Sequence, residues 1–79
     1  MPKINIEYFA ILREHVGHST EAVVSDAGTA AELFDELSRR YSFPDVGKMK
    51  VAINDEFCEW DAGLADGDSV VFIPPVAGG

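Results

Sequence analysis

A chain of 79 residues has room for one domain, residues 1–79, whose small core buries only about 60% of the surface its unfolded chain exposes. Six Lys and Arg against 14 Asp and Glu give a formal charge of −8, which argues against nucleic-acid binding and fits either a basic partner surface or simple solubility. No apolar run nears the roughly 18 residues of a membrane span, Met1-Pro2-Lys3-Ile4-Asn5 lacks the core of a signal peptide, and a single cysteine excludes an internal disulfide, so a cytoplasmic protein is expected.

Lys3 to Phe9 alternates, with Ile4, Ile6 and Tyr8 on one side and Asn5 and Glu7 on the other, as in a strand with one buried face. Ala10 to Val16 reads as a helical turn ending at Gly17, and Ser19 to Ser25 as a second strand, antiparallel to the first. Thr29 followed by Glu32 has the spacing of a capping box. Ala30, Leu33, Phe34, Leu37 and Tyr41 then recur at helical spacing, and Pro44 stops any continuation. Lys50 to Ile53 and Glu56 to Trp60 are short strands about an Asn54-Asp55 turn, and Asp66-Gly67 turns the chain into a last strand, Ser69 to Ile73. The order β-β-α-β-β-β predicts an α+β fold of the β-grasp (ubiquitin-like) type: a mixed sheet of about five strands with one main helix on one face.

The last strand is apolar at Val70, Val71, Phe72 and Ile73. One helix cannot cover both of its faces. With Phe72 and Val70 in the core, Val71 and Ile73 point outward and form a partner-binding patch, unless a loop covers them. Beyond it the tail, residues 74–79, reads Pro74-Pro75-Val76-Ala77-Gly78-Gly79. The prolines favour an extended path of about 3.1 Å per residue, a reach of roughly 18–20 Å. Gly78 and Gly79 leave the tip without Cβ atoms, thin enough to enter a narrow channel in another protein and bend there. The reactive group so delivered would be the Gly79 carboxylate.

At these residues the sequence resembles the ubiquitin-like sulfur carriers of the MoaD/ThiS group. Tyr8-Phe9-Ala10, Arg13-Glu14 and Val16-Gly17 are similar to that family's opening; Leu64, Asp66-Gly67-Asp68, Val70 and Phe72 to its approach to the tail; Phe72 to Gly79 to its ending. The double proline favours the molybdopterin branch over the thiamine branch. The resemblance implies a carrier that is no enzyme alone and binds no cofactor. An E1-like adenylyltransferase would spend ATP to adenylate Gly79, and a persulfide-type donor would replace AMP to leave a thiocarboxylate. The tail, with Val76 and Ala77 beside the prolines in its grip, would enter the large subunit of molybdopterin synthase, in a heterotetramer, and sulfur would pass to a pterin precursor. Carriers for thiamine or cysteine synthesis, ubiquitin-like modifiers joined to lysines, and plain β-grasp binding modules remain as rival readings.

Other candidates carry little chemistry. Cys58 has no neighbouring base in the sequence to activate it as a nucleophile and reads as a small strand residue. His15 and His18 lack partners for a metal site. Asp66-Gly67-Asp68 is a fragment of a calcium loop without the remainder. The Thr29–Glu32 pair is a helix cap.

Overall fold

The computed structural model describes residues 2–43 and 48–75. The alternation of β1 (Lys3–Tyr8) is realised residue by residue: Ile4, Ile6 and Tyr8 are buried, and Lys3, Asn5 and Glu7 are exposed. The helical turn is α1 (Ile11–Val16), closed by Gly17 at φ 97°, whose N–H donates to the Arg13 carbonyl. Glycine suits that left-handed position because it has no Cβ to clash. β2 (Thr20–Val24) returns antiparallel to β1.

The main helix is α2 (Ala30–Tyr41). The Thr29 hydroxyl accepts the Glu32 N–H at 3.2 Å, which is half of the expected capping box. The other half differs, since the Glu32 carboxylate accepts from Gly28 N–H at 2.8 Å instead of from Thr29. Thr29 is extended and bridged to Gly63, and the N–H within reach of Glu32 is the one before it. Ala30, Leu33 and Leu37 form the buried stripe, with Phe34 and Tyr41 half-buried beside it. On the outer side Arg39 pairs with Asp35 at 2.9 Å and Arg40 with Glu36 at 3.8 Å, one helical turn apart.

β3 (Lys50–Ile53), β4 (Glu56–Cys58) and β5 (Ser69–Ile73) complete a five-stranded sheet ordered β2-β1-β5-β3-β4. Only β1 and β5 run parallel; every other neighbouring pair is antiparallel. β4 stops at Cys58, short of the expected Trp60, because Trp60 leaves the strand to join the core. Its carbonyl accepts from the Ala31 N–H in the first turn of α2, and its ring stacks on Phe72 at 6.0 Å. The core lies between α2 and one face of the sheet, around Ile4, Ile6, Tyr8, Leu33, Val70 and Phe72. This is the β-grasp expected from the sequence.

Candidate partner-binding face

β5 lies between β1 and β3, so its side chains alternate between the helix-covered face and the open one. Val70 and Phe72 are buried in the core, while Val71 and Ile73 are half-buried on the opposite face. The register builds a row across that open face: Thr20, Glu7, Val71, Ala52 and Phe57 stand opposite one another from β2 to β4. Ala52 is only 4% exposed although none of the described helices covers it, since the larger Val71 and Phe57 flank it. Phe57, at the edge, is 70% exposed. In the next row Ile73 faces Lys50. Phe9, 50% exposed, follows directly on Tyr8, which pairs with Phe72, and so lies at the same end of the sheet as Ile73.

The structure therefore brings Val71 and Ile73 together with Phe57 and Phe9, which the sequence did not single out. The signal for Phe57 was present. A two-residue turn at Asn54-Asp55 forces Ile53 opposite Glu56 and Ala52 opposite Phe57. Cys58 then faces the core and Phe57 the open side. β5 leads directly into Pro74, which is buried, and Pro75, which is exposed. The remaining tail residues singled out, Val76, Ala77, Gly78 and Gly79, lie outside the described residues.

Groups that could suggest catalysis have structural roles. Cys58 is half-buried and its Sγ lies 3.7 Å from the Val51 carbonyl. His15 and His18 are exposed; His15 Nε2 sits 2.6 Å from the Tyr41 carbonyl at the end of α2. Asp68 accepts from Asn54 Nδ2 and closes its own turn by accepting the Ala65 N–H, while Asp66 accepts the Lys3 N–H and ties that turn to the start of β1. Among the described residues no group of three or more His, Cys, Asp or Glu is placed to hold a metal ion. None of the described helices is long and apolar enough to cross a membrane.

Among the described residues the perturbed titratable groups are Tyr8, Glu21 and Tyr41, clustered at the rim of the covered face. Tyr8 donates to Glu21 Oε2 at 2.6 Å and Tyr41 to Glu21 Oε1 at 2.5 Å. Burial raises both phenols above their ordinary value, and the hydrogen bond to Glu21 adds to the rise. Burial pushes Glu21 up, but the two phenol hydrogen bonds, with His18 and Arg40 nearby, outweigh it and hold the carboxyl below its ordinary value. The trio ties β1, β2 and α2 together and faces away from the tail's apolar approach.

Comparison with known proteins fits this geometry. The ThiS family model matches residues 6–79. The molybdopterin synthase sulfur carrier subunit of Escherichia coli is 36% identical, covering 96% of this chain and 99% of that one. That of Mycobacterium tuberculosis is 32% identical over the whole of both chains. The crystal structure of small archaeal modifier protein 1 from Haloferax volcanii superposes with a TM-score of 0.81 at 26% identity, covering 96% of this chain and 100% of that one. With the family model running through nearly the whole sequence and relatives above 30% identity at full length, the chain belongs to the ThiS family.

Proposed function

We propose that this protein is the sulfur carrier subunit of a molybdopterin synthase, a single carrier domain whose tail, residues 74–79, does its work inside other proteins. The observation that carries this reading is β5. One of its faces anchors the core, the other is apolar and uncovered, and the strand runs straight into Pro74-Pro75. A partner gripping the open face is positioned to receive whatever follows those prolines. Relatives named as the synthase's sulfur carrier subunit, at 32% and 36% identity, support the same assignment.

The chemistry follows from what a C-terminal carboxylate lacks. It is a poor electrophile, so an E1-like partner would transfer AMP from ATP to Gly79 and release pyrophosphate. Sulfur from a persulfide-type donor would attack the acyl carbon and expel AMP. The new C–S bond leaves an acyl disulfide that keeps the persulfide's S–S bond. A thiol would then cleave that bond, supplying two electrons, ending in a mixed disulfide with the donor and leaving the thiocarboxylate. That soft, ionised sulfur would be delivered to a pterin precursor held by the large subunit, with carrier and large subunit forming a heterotetramer in the cytoplasm. The precursor's phosphate calls for basic residues, which this acidic chain does not concentrate. Val71, Ile73, Pro75, Val76 and Ala77 would make the partner contacts, with the buried Pro74 setting the direction of the tail, and Gly78 and Gly79 the thin reactive tip.

Intact-mass measurement after co-expression with the activating enzyme tests this. The expected product is heavier by the exchange of one oxygen for sulfur, and alkylation at the C-terminus removes the reactive form. Adducts to lysines of other proteins would instead support a modifier, the reading favoured by the likeness to the archaeal modifier protein. Neither product would overturn both. Adding one residue after Gly79 should abolish carrier activity and leave a plain binding module unaffected.

A further inference from the structure

The open face of the sheet has two halves. Toward β3 and β4 it is apolar, with Val71, Ala52 and Phe57 in one row. Toward β1 and β2 it sinks into a trough of about 370 Å³ lined by Asn5, Glu7, Thr20, Ala22, Asp55 and Ser69 and bordered by Val71. The register explains the hollow. Ala22, Asn5 and Ser69 stand abreast on adjacent strands, and all three are short.

Three acidic residues line this trough and, among the described residues, no lysine or arginine does. Glu21 turns its carboxylate to Tyr8 and Tyr41, which leaves Glu7 and Asp55. Among the described residues the side chains of Glu7 and Asp55 have neither a hydrogen bond nor an ion pair. Asp55 is held there by its turn. Asn54 and Asp55 both have positive φ, 52° and 70°, the geometry of a tight two-residue hairpin. Three hydrogen bonds pin Asn54. Its N–H donates to the Ser69 carbonyl at 2.7 Å, its Nδ2 to Asp68 at 3.0 Å, and its Oδ1 accepts the Ser69 N–H at 3.0 Å. A rigid turn thus presents a carboxylate that does nothing for the fold.

We propose that the trough receives a lysine or arginine side chain of the synthase large subunit, so that the open face docks in two parts, an apolar row and an acidic socket beside it. This rests on the carrier reading above and names how that partner is recognised. Glu7 and Asp55 supply the charge, and the Asn5 amide oxygen and Thr20 hydroxyl can accept remaining donors of a guanidinium. An exposed ion pair contributes little. Here the partner's contacts with Val71 and Phe57 would shield the socket from water, the setting in which a charge pair gains weight and fixes register.

Calorimetric titration of the full chain with purified large subunit, at low and high salt, tests the proposal. The variants are Glu7→Gln with Asp55→Asn, and separately Phe57→Ala. Asparagine tolerates the positive φ at position 55, and unchanged circular dichroism and urea midpoints will show that each variant folds. The double variant should bind about 10-fold more weakly at low salt and lose much of the wild-type salt dependence. Phe57→Ala should weaken binding with the salt dependence intact. Wild-type affinity and salt dependence in the double variant would overturn the socket and leave the carrier reading standing. Absence of binding by the wild-type chain itself would overturn both.

Discussion

Phe72 and Ile73 are neighbours of the same chemical class on one strand, yet they belong to different parts of the molecule. Phe72 is fully buried, with Phe34 edge-on at 5.1 Å and Trp60 stacked at 6.0 Å. Ile73, one residue on, stands on the face that no helix covers, beside Lys50. Each face of β5 can thus be changed without addressing the other. A fold this small can maintain an apolar partner surface because that surface shares a backbone, but no side-chain contacts, with the core.

The comparison breaks most visibly at Phe72. Phe72→Ala removes the ring between Phe34 and Trp60 and should cost about 3–5 kcal/mol. Because a native domain has only about 5–15 kcal/mol in hand, urea unfolding should find the variant close to the edge of folding. A loss under about 1 kcal/mol would mean that Trp60 and Phe34 close over the gap, and the covered face would be less tightly specified than its packing suggests.

Ile73→Asp addresses the other face. Its unfolding free energy should fall by no more than about 1 kcal/mol, the span of strand preferences on an uncovered face. Affinity for the large subunit should fall by about 2 kcal/mol, roughly 30-fold, as for a truncated anchor residue in an interface. Titration of folded variant against partner checks both numbers. Unfolding without a selective loss of binding would show that the two faces have been assigned in reverse.

Much of this division could be read in the chain. Alternation in Lys3–Tyr8, the stripe from Ala30 to Tyr41 and the four apolar residues Val70 to Ile73 give strand, helix and a doubly apolar strand directly, because burial leaves a period. Phe57 was harder. In Glu56-Phe57-Cys58 two adjacent residues are apolar, so periodicity alone does not choose the inward one; the hairpin register does. Phe9 lies past the strand's end, where alternation no longer applies, and Ala10 after it takes φ 51°, a conformation rare for alanine. Pro74 was expected on the partner side and is buried, since composition describes the extended path of a proline but not which neighbours lie over it. The trio of Tyr8, Glu21 and Tyr41 joins residues up to 33 positions apart in sequence, and an inward-pointing glutamate on β2 looks from sequence like any polar strand residue.

That trio offers the smallest and most conditional effect, on the rim of the covered face. Glu21 accepts from two phenols, and Glu21→Gln would keep one acceptor oxygen while losing the charge. The expected cost at neutral pH is about 1.5–3 kcal/mol, that of a hydrogen bond to a charged group. Its sign with pH is fixed by the direction of the shift. The folded-state value lies below the ordinary one, so the stabilisation is complete above the ordinary carboxylate value of about 4.3. It fades as pH falls from there through the folded value, because protons then bind the unfolded chain first. The difference in urea midpoint between wild type and Glu21→Gln should therefore be largest at neutral pH and shrink in acid. A difference that grew on acidification would mean that burial outweighs the two phenols, and that the carboxyl is held neutral in the fold. Binding of the large subunit is expected to be unchanged in Glu21→Gln, because the Glu21 carboxylate is turned to Tyr8 and Tyr41, away from the proposed docking face.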